Sequence, residues 1–155
     1  MTQTSKNTIA AKAEMLIRRP VAEVFAAFVE PERTSQFWFT RGSGRLEPGA
    51  RVQWEWEMYD FTLQVDVKAV EPNKRIVVEW PAYGRPTPIE WVFTARPDGT
   101  TFVSITNGGF ARDQVEMAIS STEGFAFVLA GAKAFLEQGV SLNLVRDRHP
   151  DGLPG

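Results

Sequence analysis

The sequence predicts an α+β fold: a curved antiparallel sheet of about six strands around one long C-terminal helix, with two short helices after the first strand. Three observations carry this. From Val115 onward, Val115, Ala118, Thr122, Phe125, Leu129, Ala132 and Leu136 recur at steps of three and four, which places them on one helical face. Nearly everything before Gly109 reads instead as strands, with apolar residues at alternate positions. Short turn signals separate those strands, and strands joined by short turns pair antiparallel. A lone amphipathic helix after many strands needs an apolar surface to lie on, so helix and sheet are expected to share a core.

Met1 to Asn7 is expected to fray. Thr8 to Arg18 reads as the first strand, on the alternation Ile9, Ala11, Ala13, Met15, Ile17. Pro20 opens a helix, because the N–H it lacks has no partner in a first turn anyway. Val21, Val24, Phe25 and Phe28 make its apolar stripe, and Pro31 starts a second short helix to Phe37. Phe37-Trp38-Phe39 follows. Three adjacent large aromatics cannot share one direction, so one or two face inward and one is free to line an opening. Gly42, Gly44, Pro48 and Gly49 mark a loop.

Arg51 to Met58 is the clearest strand, with Val52, Trp54, Trp56 and Met58 against Gln53, Glu55 and Glu57. Tyr59-Asp60 turns the chain into Phe61 to Ala69, and Pro72-Asn73 turns it into Arg75 to Trp80. Pro81 to Pro88 is a proline-rich loop. Ile89, Trp91, Phe93 and Ala95 alternate through the next strand, Pro97-Asp98-Gly99 is a tight turn, and Thr101 to Asn107 returns as the last strand, ended by Gly108-Gly109. Asp113 with Glu116, and Ser120 with Glu123, both read as capping boxes. The helix is therefore expected to restart, its main body running from Ser121 to Gln138 with Gly139 as C-cap. Val140 to Gly155 reads as a tail, its Arg146, Asp147 and Arg148 as surface charge and its Leu142, Leu144 and Val145 as a set available to dock on a partner or to close one end of a cavity.

A chain of 155 residues suits a single domain, 1–155, able to bury roughly 70% of its unfolded surface. The absence of cysteine excludes disulfides and thiolate chemistry and fits a cytoplasmic location. A net charge of -2 supplies no general attraction to nucleic acid or anionic membrane. No apolar run is long enough to span a bilayer, and the polar N-terminus lacks a signal-peptide core. Five Trp and eleven Phe are the unusual feature.

The order of elements, with its Trp-rich strands, resembles the helix-grip fold of the START / Bet v 1-like superfamily. It is most similar to the branch named after the C-terminal domain of the activator of the Hsp90 ATPase. The matching residues are Arg19-Pro20-Val21-Ala22-Glu23-Val24-Phe25, Glu30-Pro31-Glu32, Gln36-Phe37-Trp38, Val52-Gln53-Trp54, Glu71-Pro72-Asn73-Lys74-Arg75-Ile76, Trp80 and Gly124-Phe125. They extend over nearly the whole chain, and their order and spacing carry the match. The resemblance implies a sheet curved around the last helix over an elongated apolar cavity. The eukaryotic activators carry a further N-terminal domain, which this sequence is expected to lack.

The candidate ligand-binding residues are Trp54, Trp56, Trp80, Trp91, Phe93, Phe125 and Leu129, with Trp38 and Phe39 near a mouth. Pockets for small ligands have mostly apolar walls and a few placed polar groups. The competing reading is that these aromatics simply fill the core. Gly124 and Gly131, seven apart, either make room or allow close helix–sheet contact. Asn107 follows the phase of Val103 and Ile105, so it projects inward and needs partners, from a ligand or from the strand end it enters. Tyr83 is a second possible orienting group.

Glu55 and Glu57, like Glu79 and Glu90, read as solvated strand faces rather than an acid/base pair. The single histidine, His149, has no cysteine or second histidine to help it hold a metal. Gly42-Ser43-Gly44 lacks the rest of a phosphate loop. No metal, cofactor or catalytic residue is expected. The leading expectation is a non-enzymatic binder of a small hydrophobic or aromatic molecule. The alternatives are an Hsp90-type co-chaperone that docks on a chaperone protein, and a cyclase-like enzyme acting on a polyketide-type substrate, which needs a titratable group inside the pocket.

Overall fold

The computed structural model describes residues 8–153. Residues Met1 to Asn7, expected above to fray, lie outside that range. Seven strands form one antiparallel sheet: β1 (Thr8–Ile17), β2 (Arg41–Gly42), β3 (Arg51–Trp56), β4 (Phe61–Glu71), β5 (Arg75–Trp80), β6 (Thr87–Ala95) and β7 (Thr101–Ala111). Their spatial order is β1-β7-β6-β5-β4-β3-β2. Helices α1 (Val21–Val29) and α2 (Pro31–Thr34) follow β1, and α3 (Val115–Gln138) and α4 (Leu144–Arg148) close the chain. The α+β architecture read from the sequence is present, with one strand more than expected. The extra strand is β2, a two-residue edge pairing of Arg41 and Gly42 with Glu55 and Trp54, inside a stretch whose glycines signal a loop.

Alternation decides which face of the sheet meets the helix. Val52, Trp54, Trp56, Leu63, Val65, Val67, Ile76, Val78, Trp80, Ile89, Trp91, Phe93, Val103 and Ile105 are all buried on one side. Across it runs α3, packed mainly on β1 and β7. Three expected boundaries shift. The α3 helix is continuous from Val115 and does not restart at Ser120, because a second cap sequence inside an unbroken i→i−4 ladder has no free N–H to satisfy. Asp113 makes no cap; the backbone N–H of Ala111 donates to the Gln114 side chain at 2.8 Å and turns the chain into the helix. Met58 leaves β3 and joins a single 3-10 turn, Glu57–Tyr59.

β7 does not end at Gly108-Gly109. It runs to Ala111 through an extra residue: Ala11 faces Asn107 but Ile9 faces Phe110. Gly109 sits at φ +81, and the bulge flips the phase so that Phe110, not Gly109, is buried beside Ala11 and Ala118. The second short helix is also shorter than expected. Its Thr34 hydroxyl donates to the carbonyl of Ala27 at 2.6 Å, tying α2 to α1 and leaving residues 35–40 free to carry Phe37, Trp38 and Phe39 inward. All three are buried. They diverge instead of sharing a face: Phe37 packs on Phe28 at 5.4 Å, Phe39 stacks on Trp54 at 5.1 Å, and Trp38 enters the space between sheet and helix.

Candidate functional site

Trp38 occupies the centre of the space the grip encloses. Its ring lies 4.8 Å from Trp54, 6.1 Å from Trp56 and from Trp80, 6.0 Å from Trp91 and 5.8 Å from Phe125 of α3. Mutual edge and tilted contacts of this kind are worth about 0.5–1.5 kcal/mol per pair beyond burial. Trp54, Trp56, Trp91, Phe93 and Leu129 are buried in the core. They pack on one another and on Trp38, and Phe93 turns toward Phe25 at 5.3 Å. The indole, arriving on the loop after α2, divides the expected single cavity into two smaller ones.

The first, of about 170 Å³, has aromatic walls from Trp38, Tyr59, Trp80, Tyr83, Phe125 and Phe127. The second, of about 180 Å³, lies across Trp38 and is lined by Phe39, Thr40, Glu57, Met58 and Leu142 among others. Val145 of α4 borders both. Of the residues the sequence pointed to, Trp38, Trp80 and Phe125 face the first cavity and Trp38 and Phe39 the second.

Asn107 is wholly buried, and its partners are internal rather than a ligand. Its Nδ2 donates to Thr87 Oγ1 at 3.1 Å and to the Pro88 carbonyl at 2.9 Å, and its Oδ1 accepts from Ser121 Oγ at 3.0 Å. The bulge after Asn107 keeps the chain in the sheet, so the amide is held mid-strand between β6 and α3. Ser121 and Tyr83 form the polar end of the first cavity. Burial pushes the Tyr83 hydroxyl above its ordinary range, partly offset by the Ser121 hydroxyl beside it. The indole N–H of Trp80 is buried without a hydrogen-bond partner, as is that of Trp91 in the core. Such an orphan costs about 1–3 kcal/mol.

The C-terminal segment, read above as a tail, folds across the mouth. The Tyr59 hydroxyl donates to the Val145 carbonyl, Arg148 pairs with Glu123 of α3, and His149 packs edge-on against Tyr59 at 5.9 Å. Ser141 Oγ donates to the Gln36 carbonyl at 2.9 Å and anchors the segment on the other side. Burial raises the Tyr59 hydroxyl as well. Tyr59, Ser121, Glu123, Arg148 and His149 are among the lining residues that sequence reasoning missed. Tyr59 looked like a turn residue, and a C-terminal segment rich in Arg and Pro carries no periodic signal that shows where it docks.

Gly131 and Gly124 resolve in opposite directions. A Cβ on Gly131 would lie 3.2 Å from Phe37 Cβ and 3.3 Å from its carbonyl oxygen, so this glycine permits close contact. A Cβ on Gly124 meets nothing within 4 Å, and that glycine borders the first cavity. The strand carboxylates lie elsewhere, on the outer face: Glu55 and Glu57 pair with Arg41 at 3.9 and 3.2 Å, Glu79 with Lys68 at 3.8 Å, and Glu90 with Arg75. Among the described residues, no three His, Asp or Glu side chains gather closely enough to hold a metal ion.

The family model described as "Activator of Hsp90 ATPase homolog 1-like protein" matches residues 18–137. The chain belongs to this family. The matched span takes in α1 through nearly all of α3, hence the Trp38 cluster and both helix glycines, but not α4. A Staphylococcus saprophyticus protein of known structure is 31% identical, with a TM-score of 0.77 over 86% of this chain and 96% of its own. The Aha1 dimer from Colwellia psychrerythraea shares the fold at 16% identity and a TM-score of 0.74, over 84% of this chain and 98% of its own. DynU16, a putative protein in the dynemicin biosynthetic locus, does so at 20% identity and a TM-score of 0.74, over 85% of this chain and 48% of its own. No curated protein matches. As an Hsp90-ATPase-activator-like chain it carries the START / Bet v 1-like fold expected from its sequence, and among the described residues no helix is long and apolar enough to cross a membrane.

Proposed function

We propose that the protein binds a small aromatic molecule in the first cavity, which Trp80 of the sheet and Phe125 of α3 border together. The observation that carries this is the composition of that space. About 170 Å³ is walled largely by aromatic rings, with the Tyr83 and Ser121 hydroxyls at one end. A dry apolar cavity near 150 Å³ is large enough to take a benzene ring. Typical drug-sized sites begin near 300 Å³, so the size supports a ligand of one ring, or a larger one that displaces Trp38 and joins the two cavities. The apolar walls supply affinity through burial, and the Tyr83–Ser121 end supplies orientation. The carboxylate at this cavity, Glu123, is held at the rim by Arg148, which favours binding over acid/base catalysis.

Trp38 and Trp80 line the cavity, so intrinsic fluorescence is a direct reporter. Titration with indole and naphthol-sized compounds is expected to shift or quench emission saturably, and a Phe125→Ala variant is expected to alter affinity. A compound panel that leaves both the emission and the backbone amide NMR spectrum unchanged would remove this reading.

A second reading, docking on a chaperone protein, is favoured by one feature. Val115, Met117 and Ile119 are exposed at the start of α3. The family's name points to Hsp90, and co-purification with Hsp90, lost on Ile119→Asp substitution, is the outcome that supports it.

A further inference from the structure

The walls of the first cavity differ in how firmly they are held. Trp38, Trp80, Ser121, Phe125 and Val128 belong to the body of the fold and are buried. Val145, Arg148, His149 and Leu153 complete the lining, and none of residues 139–153 is buried. Val145 borders the second cavity as well, so this one segment closes both. It leaves α3 at Gly139, whose φ of +68 ends the helix, and it lies beyond residues 18–137, the span of the family match. Its ties to the body are polar and face water. Ser141 Oγ donates to the Gln36 carbonyl at 2.9 Å, the Tyr59 hydroxyl donates to the Val145 carbonyl, and Arg148 pairs with Glu123 through side chains that are nearly half exposed. Single hydrogen bonds and exposed ion pairs hold weakly, because water competes for the same groups. A segment with no buried residue and water-facing ties opens locally while the rest of the fold stays intact.

We propose that residues 139–153 are the gate of the two cavities: they swing about Gly139, carry Val145 away from both and let the ligand in and out. The inference rests on the cavity reading above. The closed form predominates, so a weaker tie raises the open population without altering the contacts of the bound ligand. Entry and exit then quicken by the same factor, and the dissociation constant stays where it was. Ser141 separates this role from a role in binding, because it borders neither cavity.

The test uses the full chain and p-cresol, an uncharged one-ring probe, with NMR line-shape analysis giving both rate constants and their ratio. Ser141→Ala is expected to raise both rates by about threefold to tenfold, the worth of one hydrogen bond, and to leave the ratio unchanged. Raising the salt from about 0.01 M to about 1 M shortens the Debye length roughly tenfold and loosens the Arg148–Glu123 pair. Both rates are expected to rise again, and an uncharged probe has no electrostatic steering to lose. Without any probe, methyl relaxation dispersion should show exchange at Val145 and none at Val65 in the core, with a larger open population in Ser141→Ala. Binding rates that stay put under either change, or a Val145 as still as Val65, overturn the gate and leave the cavity reading standing. A change confined to dissociation assigns Ser141 to the bound state and overturns the gate equally. Failure of both p-cresol and 2-naphthol to bind overturns the cavity reading and the gate with it.

Discussion

Trp38 and Phe125 meet edge-on, ring centres 5.8 Å apart, at the point where the loop after α2 touches the middle of α3. This contact divides the interior of the grip. Everything toward Phe93 is solid core, and the space toward Tyr59 and Tyr83 is open. Trp38→Ala removes the divider. It should cost about 3–5 kcal/mol in chemical denaturation, the usual loss for a buried large aromatic, and at the same time admit ligands of two rings that the native protein refuses. Stability loss without any broadening of ligand size would show that the two cavities stay separate for another reason.

The two helix glycines predict opposite signs. Gly131→Ala pushes a methyl into Phe37, whose backbone carbonyl is 3.3 Å away and cannot step aside cheaply. A loss of about 1–3 kcal/mol is expected. Gly124→Ala meets open space and gains helix propensity, about 0.5–1 kcal/mol. Thermal unfolding of the pair decides both, and a Gly131→Ala protein as stable as the parent would contradict the packing described.

Asn107 holds three groups at once, so its removal should be expensive. Asn107→Ala leaves the Pro88 carbonyl and the Thr87 and Ser121 hydroxyls with a missing partner in a buried site. Each unsatisfied buried group costs about 1–3 kcal/mol, and denaturant titration should show a loss in the upper part of that range or beyond. A neutral outcome would mean that water replaces the amide.

Glu137 couples α3 to β1 and predicts an acid-side dependence. Partial burial pushes its carboxyl up, but the Arg18 backbone N–H at 2.7 Å and Lys133 at 2.6 Å outweigh it, and the folded-state value lies below the ordinary carboxylate range. A depressed folded value means stability that is fully present above the unfolded value and lost as pH falls through the folded one. The gap in stability between the native chain and Glu137→Gln should therefore be widest at neutral pH and close between about pH 5 and pH 3. A gap that is constant with pH would assign the contact to shape rather than charge.

Tyr59 is the latch on the C-terminal segment. Tyr59→Phe keeps the ring against His149 but deletes the hydrogen bond to Val145. Amide exchange in α4 is expected to speed up severalfold with little change in overall stability, about 0.5–1.5 kcal/mol, and ligand association should quicken. Unchanged exchange in residues 144–148 would show that the Arg148–Glu123 and Ser141–Gln36 contacts suffice.

The sequence by itself determined the class of fold, the inward face of each strand and the existence of the long helix. Period-two and three-four patterns in Trp54, Trp56, Val103 or Phe125 are local facts that burial on one side makes obligatory. It also marked Asn107 as an inward polar group and Gly139 as the helix C-cap, whose N–H meets the Phe135 carbonyl at 2.9 Å. What only the tertiary structure decided is whether the aromatic interior is full. That depends on where an irregular loop delivers Trp38 and where an aperiodic tail delivers Val145, Arg148 and His149. Neither segment has a repeating pattern, so their positions follow from contacts distant in sequence, such as Tyr59 with Val145 and Gln36 with Ser141. The same distance separates Gly131 from Phe37, and the choice between room and contact at that glycine is one that spacing along a single helix cannot make.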